Sequence, residues 1–156
     1  MPLARDYART VRTSAPDPGP AAGAPQTARP DAVSVIHFSG MKVDIRRVGD
    51  IPVLCPEGRI TIGPPSIALK AALDLELKQG ATKILFDGSR VEYLDSSGLA
   101  ELISAARTLS ERGGRLAVSS PSHKLREVLE ITGLERVFLV GDDEGSLLKE
   151  LAKLTG

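Results

Sequence analysis

Between Lys42 and Leu154 short apolar runs alternate with longer stretches whose apolar residues recur at helical spacing, and this alternation restricts the chain to a layered α/β domain. Lys42 to Val48 alternates polar and apolar residues through Val43 and Ile45, and Gly49-Asp50 supplies a turn. Ile51 to Cys55 then reads as an apolar strand that continues through Arg59-Ile60-Thr61, so the domain is expected to open on a hairpin. Pro64-Pro65-Ser66 starts a helix in which Leu69, Ala72, Leu73 and Leu77 share a face, with Gly80 as its stop. Ile84-Leu85-Phe86 lacks alternation, as a strand covered on both faces should. In the next helix Leu99, Leu102, Ile103, Ala106 and Leu109 keep the i, i+3, i+4, i+7 spacing, and Gly113-Gly114 ends it. Leu116-Ala117-Val118 is a further strand, Leu125, Val128, Leu129 and Thr132 stripe a third helix, Val137 to Val140 returns to strand, and Leu147, Leu148, Leu151 and Leu154 mark a last helix. The expected order is β-β-α-β-α-β-α-β-α around a mixed sheet that is parallel in its later part, because right-handed crossovers return through helices. Periodicity leaves open whether the helices cover one face or both.

The first forty residues differ in kind. Pro2, Pro16, Pro18, Pro20, Pro25 and Pro30 fall there, out of 11 prolines in all, mixed with Ala, Gly and Arg and with no surviving period. Residues 1–40 are therefore expected to be a disordered extension and 41–156 the folded domain, since so little apolar surface does not offset the entropy of ordering. Val33 to Phe38 is the exception, a short apolar run open to being a stray strand or a loosely docked segment. Met41, the only methionine besides Met1, stands just before the first clear strand and raises the hypothesis of a natural start there.

Charge and composition exclude several functions. Lys plus Arg and Asp plus Glu are 20 each, so no net field gathers nucleic acid or an anionic membrane, and neither direct nucleic-acid binding nor membrane insertion is expected. Aromatic residues are 3% of the chain and tryptophan is absent, which argues against stacking platforms for single-stranded nucleic acid. No apolar run approaches the roughly 18 residues needed to span a bilayer, so a cytoplasmic protein is expected. One cysteine, Cys55, and two histidines make no recognisable metal set, and no metal or cofactor is expected. Cys55 lies in an apolar stretch and reads as a buried, inert thiol.

The residues with most chemical content are Asp95-Ser96-Ser97-Gly98-Leu99, which join an apolar strand to the clearest helix. Asp and Ser are natural N-caps, so capping alone accounts for these residue types. A Ser/His/acid site from Ser96, His123 and Asp87 or Asp95 lacks a G-x-S-x-G elbow, and Gly113-Gly114 lacks the Lys and Ser/Thr of a P-loop. No enzymatic activity is expected.

Taken together, Asp95-Ser96-Ser97-Gly98-Leu99, Glu57-Gly58-Arg59-Ile60-Thr61-Ile62-Gly63, Gly113-Gly114-Arg115-Leu116 and Ile131-Thr132-Gly133-Leu134 occur in the order that resembles the STAS domain family of bacterial anti-sigma factor antagonists. The resemblance covers roughly residues 42–154. It implies a STAS fold and a regulator of transcription that binds an anti-sigma factor of the serine kinase type, releasing a sigma factor. It implies further that Ser96, directly after the aspartate, is phosphorylated by that kinase and dephosphorylated by a PP2C-like phosphatase. Partner contacts are implied at Gly58, Asp95, Ser97, Gly98 and Leu99. Thr61 departs from the aspartate that many members carry at that position. The alternative is a STAS subunit of a sensory or lipid-transport complex in which Ser96 is only a helix cap.

Overall fold

The computed structural model describes residues 11–13, 34–38 and 41–154. Nine strands and four α-helices occur among them. They are β1 (Val11–Thr13), β2 (Ser34–Phe38), β3 (Met41–Val48), β4 (Ile51–Pro56), β5 (Gly58–Ile60), α1 (Pro64–Lys78), β6 (Lys83–Asp87), β7 (Val91–Leu94), α2 (Ser96–Glu111), β8 (Arg115–Ser119), α3 (His123–Thr132), β9 (Leu139–Gly141) and α4 (Glu144–Lys153). A 3-10 turn, Leu134–Arg136, precedes β9. The main sheet has the order β1-β2-β3-β4-β6-β8-β9. Pairing is antiparallel from β1 to β4 and parallel from β4 to β9. The expected mixed sheet with a parallel later part is therefore the observed one.

Successive strand residues sort into two cores, and this settles how the helices are arranged. Leu54, Ile84, Phe86, Leu116 and Val118 join one buried cluster with Leu69 and Leu73 of α1, Leu102 and Leu109 of α2, and Leu125 and Leu129 of α3. Their neighbours Val53, Leu85 and Ala117 point the other way, into a second cluster with Leu147 and Leu151 of α4. Alternate side chains leave opposite sides of a strand, so three helices cover one face and α4 alone covers the other. Both faces are buried, which is why Ile84-Leu85-Phe86 carries no polar residue. An ion pair from Arg46 of β3 to Glu144, 2.8 and 2.9 Å to its two carboxylate oxygens, ties the first turn of α4 to the sheet.

Three details differ from the sequence reading. The second strand does not run on through Thr61: it stops at Pro56, and Gly58–Ile60 pairs with Val91–Leu94 as a separate two-stranded parallel sheet. Gly58, at φ +98, makes the break, because only glycine takes that conformation without strain. Thr132 is exposed and donates its hydroxyl to the Val128 carbonyl, so the stripe of α3 is Leu125 and Leu129 with Val128 half-buried. The last strand begins at Leu139, with the fully buried Phe138 as the lead-in.

Two strands also lie within the expected extension. β2 takes the strand alternative for Val33–Phe38, and β1 pairs with it. Ile36 is 0% exposed and belongs to the main core. Deleting residues 1–40 is therefore expected to leave a cooperatively unfolding domain, because every helix and the parallel sheet remain. It should be weaker by the burial of Ile36, about 1.5–3 kcal/mol. Thermal denaturation of the truncated chain checks this, and loss of a cooperative transition contradicts it.

Candidate functional site

The site is built where the small β5–β7 sheet meets the start of α2. Asp95 follows β7 in extended conformation (φ −91, ψ −175), and its Oδ1 accepts hydrogen bonds from the amides of Ser97 at 2.9 Å and Gly98 at 3.1 Å. Asp95 is thus the N-cap of α2, satisfying two amides that the helix leaves unpaired. The same carboxylate reaches across to the loop after β5, where the Ile62 amide donates to Oδ2 at 2.9 Å. The Asp95 amide in turn donates to the Ile60 carbonyl at 3.1 Å. One aspartate therefore fixes both the helix start and the Ile60–Ile62 loop beside it.

The two serines have different roles, and their hydrogen bonds separate them. Ser97 donates its hydroxyl to Asp95 Oδ1 at 2.6 Å. Ser96, the first residue of α2, is exposed, and its Oγ has no hydrogen-bond partner among the described residues. The cap is Asp95 and not Ser96, so the reading of Ser96 as only a helix cap is not what the geometry holds. The Ser97 hydroxyl, followed by the amides of Gly98, Ile62 and Ser97, holds the Asp95 carboxyl below the usual carboxylate range. Asp95 accordingly stays ionised at neutral pH beside the free Ser96 hydroxyl.

The other residues named from the sequence fall into place around this pair, though not all as contacts. Gly98 packs so closely that a Cβ there would lie 2.6 Å from Leu94 Cδ1 and 3.0 Å from Ile60 Cγ2. Its lack of a side chain lets the first turn of α2 sit against β5 and β7. Leu99 is 8% exposed and faces the core, so it positions the helix and presents no side chain to a partner. Gly58 lies at the far end of β5, its amide donating to the Arg90 carbonyl at 2.9 Å, and shapes the strand that leads to the loop. Arg59 stacks over Tyr93 at 4.9 Å, joining β5 to β7 on the outer side. Thr61 holds the start of α1 through its carbonyl, which accepts from the Ser66 amide at 3.2 Å.

A residue not singled out from the sequence is Ile62. It is 79% exposed, an apolar side chain in solvent on the loop that Asp95 anchors. The signal was present in the strand pattern: Ile60 and Ile62 sit two apart, yet the chain must turn at Gly63 (φ +105) to enter α1, and the turn leaves the second isoleucine outside.

The catalytic alternative finds no support in the contacts. His123 begins α3 behind the Ser122 cap and makes no hydrogen bond to Ser96, while Asp87 accepts from the Ser89 amide. Cys55 is half-buried, and burial, followed by the nearby Asp87 charge, pushes its thiol up to about 11, so it stays protonated at neutral pH. Among the described residues no helix is long and apolar enough to cross a membrane.

Comparison with known proteins agrees with this architecture. The family model described as "Mlab, STAS domain" matches residues 58–141, more than half of the chain. A Thermotoga neapolitana protein whose name assigns it to the anti-sigma factor antagonists is 32% identical over 67% of this chain and 92% of its own length. An anti-sigma-B factor antagonist of Listeria monocytogenes is 31% identical over 51% of this chain and 69% of its own length. The crystal structure of a Thermotoga maritima protein of the same assigned class superimposes with a TM-score of 0.66 at 28% identity, covering 70% of this chain and 93% of that one.

Proposed function

Because this chain belongs to the STAS domain family, we propose that it is an anti-sigma factor antagonist whose binding is switched by phosphorylation of Ser96. The observation that carries the proposal is the division of labour at the start of α2, where Ser97 is tied to Asp95 and Ser96 offers a free, exposed hydroxyl. The protein is a substrate in this chemistry and not an enzyme. The Ser96 hydroxyl oxygen attacks the γ-phosphorus of ATP held by an anti-sigma factor serine kinase, the new O–P bond forms as ADP leaves, and the hydroxyl proton passes to the kinase's base. A PP2C-like phosphatase resets the serine. In the unphosphorylated state the surface around Ser96, with Ile62 as its apolar anchor, covers the anti-sigma factor and frees a sigma factor in the bacterial cytoplasm.

Phosphate adds about −1.5 to −2 charges next to an aspartate that is already ionised, and an interface formed around a neutral hydroxyl meets bulk, repulsion and desolvation together. The helix N-terminus favours the same phosphate, so the modified protein keeps its fold. Affinity capture from the source cell with the full chain as bait tests the proposal. An anti-sigma factor of the kinase type is the expected prey. Stoichiometric capture of transporter or sensory-complex subunits in its place overturns it.

A further inference from the structure

A second site is suggested by where the chain leaves its arginines unpaired. Arg46 is held by Glu144, Arg47 by Glu76, Arg90 by Glu57 and Arg126 by Asp142. Arg112 donates to the carbonyls of Leu77 and Ala81, and Arg59 stacks on Tyr93. Among the described side chains the three arginines left without a partner are Arg107, Arg115 and Arg136. All three line one groove of about 760 Å³, formed by the C-terminal half of α2, the start of β8 and the 3-10 turn. The chain brings them from three separate elements to one place, and one carboxylate, Glu111, accompanies them there.

The rest of the wall is apolar, with Ile103 and Ala106 from α2 facing Val137 and Leu154. Val137 is 44% exposed and contributes accessible apolar surface to the groove. Guanidinium groups are planar, weakly hydrated and matched to carboxylate or phosphate oxygens, so three of them beside an apolar wall suit a ligand with both kinds of surface. The size falls in the range of small-molecule sites. We propose that this groove binds an amphipathic anion, an aliphatic chain ending in a phosphate or a carboxylate, with the head on Arg107, Arg115 and Arg136 and the chain along Ile103, Val137 and Leu154. The groove lies about 15–20 Å along α2 from Ser96, so it is distinct from the switch and stands or falls independently of it.

The test is a titration of the isotope-labelled full chain with hexyl phosphate and with hexanoate, read by amide chemical shifts. Saturable shifts confined to residues 103–115, 134–137 and Leu154 with either ligand are expected. The double variant R107Q/R136Q should weaken binding by about tenfold or more, whereas R59Q/R90Q, with the same loss of charge elsewhere, should bind as wild type. Inorganic phosphate alone should bind at least about tenfold more weakly, having no chain to lay on the wall. V137D, at an exposed position, should also abolish binding, which keeps the test intact if R107Q/R136Q does not fold. The proposal is overturned if neither ligand shifts these residues at millimolar concentration, if folded R107Q/R136Q and V137D bind like wild type, or if inorganic phosphate binds as tightly as hexyl phosphate.

Discussion

Replacing Gly114 by alanine is expected to cost this chain much of its stability. A Cβ at that position would stand 1.6 Å from the Thr82 carbonyl oxygen and 2.6 Å from its carbon, and both belong to backbone that cannot swing aside. The clash falls where β8 joins the sheet, because the Arg115 amide donates to the same Thr82 oxygen at 3.1 Å. Relieving it means moving the entry of β8 away from the turn before β6, at a cost of about 3 kcal/mol or more. The melting temperature should fall by about 10 °C or more. Gly133 provides the control. It sits at φ +73 and terminates α3 in the left-handed region with nothing within 4 Å of an added Cβ, so alanine there meets conformational strain of only about 1 kcal/mol. Equal melting temperatures for Gly114→Ala and wild type would show that the two chain segments are not packed as described.

The second large effect is on binding and leaves stability nearly unchanged. Ser96→Asp should reduce affinity for the anti-sigma factor kinase by about a hundredfold or more, since it places a second carboxylate beside Asp95 in the contact surface. Its circular dichroism should remain native, because a negative charge in the first turn of a helix is favourable. Ser96→Ala should bind like wild type and take up no phosphate. Calorimetric titration of the three proteins against the kinase distinguishes these outcomes. Wild-type affinity in Ser96→Asp would place the interface elsewhere.

Much of this architecture was legible in the sequence because burial imposes a period. The stripe Leu99, Leu102, Ile103, Ala106 and Leu109 located α2; all of it but Ile103 is buried, and Ile103 is partly buried against the same core. The pair Gly113-Gly114 marked the end of α2, where Gly113 takes the left-handed backbone and Gly114 leaves room for the Thr82 carbonyl. What escaped was short or long-range. β5 and β7 have three and four residues, too few to display alternation, and their parallel pairing joins residues as far apart in the chain as Gly58 and Val91 or Ile60 and Leu94, with a register shift at Gly58–Arg59. β1 is shorter than any recognisable period. The placement of α4 alone on the second face follows from which strand residues point where, a property of the assembled sheet and not of any local run.

The site was legible in part for a similar reason. Asp95, Ser96 and Ser97 are all capping residue types, so local pattern does not say which of them caps. Only the fold decides, by bringing the Ile62 amide to Asp95 Oδ2 and the Ser97 hydroxyl to Oδ1, which leaves Ser96 unengaged. Leu99 belonged to the motif by position, and its burial shows that a motif can include residues that hold a surface in place without being part of it.

The central claim is that Ser96 is the phosphate acceptor, and peptide mapping tests it most directly. The full chain is incubated with its cognate anti-sigma factor kinase and ATP, and the phosphopeptide spanning Val91 to Arg107 is sequenced. The account predicts one phosphate, on Ser96, retained in Ser97→Ala and lost in Ser96→Ala. Phosphate on Ser97, or no phosphate uptake by the wild-type chain, contradicts it.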